Sequence, residues 1–127
     1  MTLSVRVLAL AALAAGLVLP SLSHAQDDLL AKRDFNTLGD DDQWKYADVW
    51  CVAALDVAAQ TPGYNAGSIA YARMVNYNDF TAGEGGTDDE FQANLAYASG
   101  QVQSKVATGM ATLDQMLDGC GSDLKAP

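Results

Sequence analysis

The chain has 127 residues, 50% of them hydrophobic, with 16 acidic and seven basic side chains and a net charge of −9. That excess of negative charge repels phosphate backbones and anionic lipid surfaces, which argues against nucleic acid as a partner. The length suits one domain with a core of modest size.

The first 25 residues, MTLSVRVLALAALAAGLVLPSLSHA, read as a secretory signal peptide. Arg6 precedes an apolar run from Val7 to Leu19, Pro20 ends the run, and the small residues Ser23 and Ala25 flank His24 as at a cleavage site. The run is shorter than the ~20 residues a membrane helix needs, no cysteine follows it to take a lipid, and no membrane contact is expected once it is removed. Cleavage after Ala25 also removes His24, the only histidine. Without an imidazole, the common serine and cysteine mechanisms and the commonest zinc ligand are lost. All 16 acids but only six of the seven bases lie beyond residue 25, so the remaining chain carries about −10. It divides into an N-terminal extension (26–39), a helical domain (40–121) and a C-terminal tail (122–127).

A first helix is expected from about residue 41 to 60, with Asp40 as N-cap, Gln43 three residues on, and Thr61-Pro62-Gly63 as the stop. Trp44, Ala47, Cys51, Ala54, Leu55 and Ala58 recur at helical spacing and place Cys51 in the middle of a buried stripe. Tyr46, Trp50, Ala53 and Val57 make a second apolar side, so this helix is expected to pack against two neighbours. Trp44 and Trp50 are candidates for a ligand or partner surface, although tryptophans in apolar stripes are more often core.

A second helix is expected from about 66 to 80, capped by Asn65. Ala66, Ile69, Ala70, Met74, Tyr77 and Phe80 share one broad side, opposite Ser68, Asn76 and Asp79. Arg73, near the apolar side, is expected to pair with Asp48 or Asp56; an inward arginine can otherwise grip an anionic ligand or partner.

The connection NYNDFTAGEGGTDDE, residues 76–90, invites comparison with a calcium-binding EF-hand loop. With Asp79 at position 1 and Glu90 at position 12, position 6 falls on Glu84, where the loop needs glycine. No metal is therefore expected, and Asp79, Glu84, Asp88, Asp89 and Glu90 stand only as weak candidate ligands. Asp40, Asp41 and Asp42 read as a helix start, with no sign of paired-carboxylate catalysis.

The third helix opens with a capping box, Thr87 to Glu90, and its acids suit the positive end of the helix dipole. Phe91, Leu95, Ala98, Val102, Val106, Gly109, Leu113, Met116 and Cys120 keep to one face, with Gly109 suited to close helix contact and Gly100 to a bend.

Two cysteines in an exported chain predict one disulfide, Cys51–Cys120. In a straight up-down-up bundle those residues would lie at heights of about 15 Å and about 45 Å, too far apart to join. Either the short second helix crosses obliquely or the third helix is bent or split near Gly100. The latter is favoured, and the fold class is an all-α bundle of three to four helices stapled by one disulfide.

Residues 44–120, with Trp50-Cys51, a second cysteine near the domain end and the leader, resemble a loose class of small exported helical proteins of proteobacteria. Within that class the architecture is similar to HdeA-type periplasmic acid-stress chaperones. That resemblance implies a small helical bundle with one disulfide that loosens at low pH and binds unfolding periplasmic proteins. The cysteines here stand further apart than in that family, the charge is more negative, and the lysine-rich ends are missing. The expected function is therefore a periplasmic or secreted protein without catalytic machinery or cofactor, binding other periplasmic proteins in the cell envelope. The alternative is a calcium- or small-ligand-binding module built on the 79–90 loop. An enzyme, in the form of a carboxylate-based hydrolase, ranks last.

Overall fold

The computed structural model describes residues 29–127, and the leader expected over residues 1–25 lies outside them. Among the described residues four α-helices carry the fold: α1 (Asp40–Ala59), α2 (Ala66–Asn78), α3 (Asp88–Ala107) and α4 (Leu113–Leu117). Two short 3-10 turns, Leu30–Lys32 and Phe35–Thr37, precede α1, and a π-helical turn, Asp79–Gly83, follows α2 directly. Among the described residues no strand forms, only an isolated antiparallel bridge between Tyr64 and Lys125. No described helix is long and apolar enough to cross a membrane.

The sequence of α1 makes it the hub. Val49, Val52, Ala53, Ala54, Leu55 and Ala58 are buried, and the alanines lie on more than one side, so neighbours can approach closely all round. The expectation of two neighbours is exceeded: α2, α3 and α4 all pack mainly against α1, and the π-helical turn touches both α1 and α2. Phe80, Phe91, Leu55, Val49, Val52 and Val102 are fully enclosed, each contributing roughly 1.5–3 kcal/mol relative to exposure. The chain on either side of the bundle joins the same core, through Ala31 before α1 and Leu124 after α4.

Local signals set the helix ends. Asn65 caps α2, its side chain accepting from the amides of Gly67 and Ser68, and Thr87 caps α3 by accepting from Glu90 N–H. Asp40 is not the cap of α1: Gly39 holds that position without a side-chain bond, and Asp40, Asp41 and Asp42 fill the first turn, where their charge complements the helix dipole.

The third predicted helix is split, but not near Gly100. Gly100 lies inside α3 with open space where a side chain would be, whereas Gly109 adopts a left-handed φ of +73° just past the helix end. Its expected role in close helix packing is thus replaced by a C-terminal cap, which glycine fills without a Cβ clash. Thr112 and Gln115 then form a reciprocal capping box that restarts the chain as α4. The break brings Cys120 back to mid-α1. The Cys51–Cys120 disulfide closes with Cα atoms 5.3 Å apart, inside the range such a bridge allows.

Candidate functional site

The α1 helix carries two attachments one turn apart. At Cys51 it is bonded to the C-terminal segment, and that segment is further fixed by Asn76, whose Nδ2 donates to the carbonyls of Ala72 (2.8 Å) and Cys120 (2.9 Å). The backbone of the same segment pairs with the start of α2, through Asn65 N–H to Leu124 O at 2.8 Å and Ala126 N–H to Gly63 O at 2.9 Å. Asp114 accepts from Tyr64 Oη at 2.6 Å and pairs with Lys125 at 2.9 Å, and these contacts hold its carboxyl below the usual range.

At Asp48, one turn earlier on α1, the chain meets the π-helical turn. Asp48 is only 7% exposed, and its Oδ2 is buried without a hydrogen-bond partner; the Oε2 of Glu84, at the end of the turn, is likewise buried and unpartnered. The two carboxyl groups are in contact, and Asp79 lies near enough to act on Asp48 by its charge. Burial first, then the charge and contact of Glu84, then the charge of Asp79, push Asp48 up to about 8. Phe80 anchors the turn, fully enclosed and edge-on to Phe91 at 5.3 Å. Gly86 follows: its N–H bonds Phe80 O at 2.9 Å, and a Cβ there would run into the Phe80 ring.

The candidate metal ligands separate into two groups. Asp79 and Glu84 gather at Asp48, whereas Asp88, Asp89 and Glu90 stand in the first turn of α3. There Asp88 accepts from Tyr77 Oη at 2.7 Å and is held below the usual carboxylate range mainly by that bond, while Glu90 lies 3.9 Å from Lys45. Among the described residues no three acids, histidines or cysteines converge so as to hold a metal ion.

Arg73 pairs with Asp56, Nε to Oδ1 at 2.7 Å, and not with Asp48. Both partners are over a third exposed, so solvent limits the pair to under about 1 kcal/mol. Trp50 is half-buried in an aromatic chain with Tyr46 (5.7 Å) and Phe35 beyond it, and the Lys105 ammonium sits 5.3 Å from its ring centre. Trp44, expected in the buried stripe, is 64% exposed.

The outer face of α2 is the other departure. Ile69, Ala72 and Asn76 face the core, so Ile69, Tyr77 and Phe80 of the expected apolar side pack inward while the helix is turned enough to leave the rest of that side outside. Ala66, Ala70, Tyr71 and Met74 are left outside, with Tyr71 66% and Met74 50% exposed. An open groove of about 520 Å³ runs beside Tyr71 between α2 and the segment around Gly121 and Ser122. Arg73 is the only charged residue of α2.

Sequence reasoning took Asn76 as outward-facing and gave Asp48 no role except as a partner for Arg73. Asn76 could have been found from the i, i+3, i+7 spacing of Ile69, Ala72 and Asn76; nothing in the sequence pairs Asp48 with Glu84. No protein-family model matches the chain, and neither a curated protein nor a solved structure matches it.

Proposed function

We propose that this chain is an exported, non-catalytic protein that binds other proteins in the cell envelope through the outer face of α2. The disulfide points to a compartment outside the reducing cytoplasm, and the leader-like first 25 residues favour the periplasm or secretion. The observation that carries the reading is Tyr71 and Met74 exposed side by side, beside a groove, on a helix with one charge in a chain with 16 acids. A face with so few charges on so acidic a molecule offers nearly neutral ground to an apolar segment of another protein, where the rest of the surface repels acidic partners. Chaperone-like capture of unfolding proteins is the form of binding this face suits best.

The test is light scattering of an aggregating client with the oxidised protein and with a Tyr71→Glu, Met74→Glu variant, at neutral and acid pH. Suppression by the native protein, abolished in the variant, is expected. No suppression by the native protein at any pH rejects the binding reading; equal suppression by both rejects the α2 face.

A further inference from the structure

A buried carboxylate oxygen without a donor is costly, most of all when charged, and here two such oxygens belong to carboxyl groups in contact. Something must satisfy them. Among the described residues a cation is not at hand, because the charged groups packed around α1 are engaged elsewhere. On α1 itself Lys45 lies 3.9 Å from Glu90 and 5.9 Å from the Phe80 ring centre. On α2, Arg73 holds Asp56 and Tyr77 donates to Asp88. From the π-helical turn comes only a further acid, Asp79, and from α3 come Glu90 and Lys105, the latter over Trp50. Lys32, before α1, sits 6.0 Å from the Tyr97 ring centre, and Asp114 of α4 is bonded to Tyr64 and Lys125. Two acids that touch can satisfy each other in one way: a single proton shared between them turns one into a donor and leaves the other an acceptor.

We propose that Asp48 and Glu84 form a proton-held latch: one shared proton clips the Asp79–Gly83 turn to α1, and its loss to solvent releases the turn. The two sides are unequal in a way that decides what moves. Asp48 sits in mid-helix beside Val49 and one turn from the disulfide, so it is fixed. Glu84 ends a five-residue π-helical turn and is followed by Gly85, with a left-handed φ of +73°, and Gly86. With two negative charges in place of one, Glu84 swings outward on that glycine pair and draws Phe80 from the core. A π-helical turn, rare and often found where a chain must move, suits this role.

The upward displacement of Asp48 fixes the direction. Below its ordinary carboxyl range both folded and unfolded chains are protonated there; between that range and about 8 only the folded chain keeps the proton, so stability falls as pH rises through this window. The chain beyond residue 25 has no histidine, which leaves the window almost silent for other side chains.

The experiment is urea unfolding of the oxidised protein at pH 5 and pH 9, beside Asp48→Asn and Glu84→Gln, each of which supplies a fixed amide donor in place of the proton. A native midpoint lower at pH 9 by about 0.5 M or more, with both variants changing by under about 0.2 M, is expected. If Asp48→Asn does not fold, Glu84→Gln, on the surface turn, decides alone. A flat native profile overturns the latch, and so does a full pH response surviving in Glu84→Gln, which would mean that Asp48 titrates without a partner. Recovery of the native midpoint at pH 9 by 1 mM calcium, absent in Glu84→Gln, would show a cation in place of the proton and overturn it equally.

Discussion

The two attachments of α1 lie one turn apart and hold by opposite means. At Cys51 a covalent bond ties down a segment 69 residues away, and Asn76, the Tyr64–Lys125 bridge and Asp114 reinforce it. At Asp48 a nearby turn is held by the Phe80 ring and by two acids in contact. The disulfide itself constrains the unfolded chain whatever the pH; the acid end stabilises only while a proton stays in place. One helix can thus keep its C-terminal segment fixed while the turn beside it responds to its surroundings.

The comparison breaks first at the covalent end. Replacing both cysteines by alanine should cost about 2–4 kcal/mol in chemical denaturation, equally at pH 5 and pH 9. A loss confined to one pH would mean that the two ends are not independent. A smaller effect sharpens the acid end: Gly86→Ala forces a Cβ against Phe80 and should cost about 1–3 kcal/mol by displacing the turn, while leaving the disulfide formed in a thiol assay. The smallest belongs to the acid limb. Asp88 and Asp114 are held low by Tyr77 and Tyr64, so the stability they contribute is present above the ordinary carboxyl range and is lost as pH falls through their lowered values. Tyr77→Phe with Tyr64→Phe should shallow the fall in thermal midpoint between pH 4 and pH 2 and leave the response between pH 5 and pH 9 untouched.

The acid limb and the latch run in opposite directions, which alters the expectation that acid simply loosens this chain. Protonation removes the ionic form of Asp88 and Asp114 but supplies the form that Asp48 and Glu84 need. Stability should therefore peak at mildly acid pH and decline on both sides.

The helical class, the disulfide and the caps at Asn65 and Thr87 were legible in the sequence because each depends on local chemistry or on a count of two cysteines. The break between α3 and α4 was half legible: the disulfide required it, but Gly100 was chosen over Gly109. Thr112 with Gln115, a capping box three residues beyond Gly109, was the signal that would have placed it. Helix faces were less legible. Periodicity orients a helix by its own apolar residues, and α2 has apolar residues on both sides, so Ile69, Ala72 and Asn76 went inward while Met74 stayed outside. The Asp48–Glu84 contact was not legible at all, since it joins mid-α1 to a turn whose path depends on Phe80 entering the core.

The central claim is that Asp48, raised first by burial and then by Glu84, keeps at neutral pH a proton that Glu84 shares. Carbon-detected NMR of the side-chain carboxyl groups of the oxidised protein follows that proton directly. A midpoint for Asp48 far above the ordinary carboxyl range, toward about 8, accompanied by a shift of the Glu84 carboxyl signal at the same pH, is the result predicted. An Asp48 carboxyl that ionises near pH 4, independently of Glu84, would contradict it.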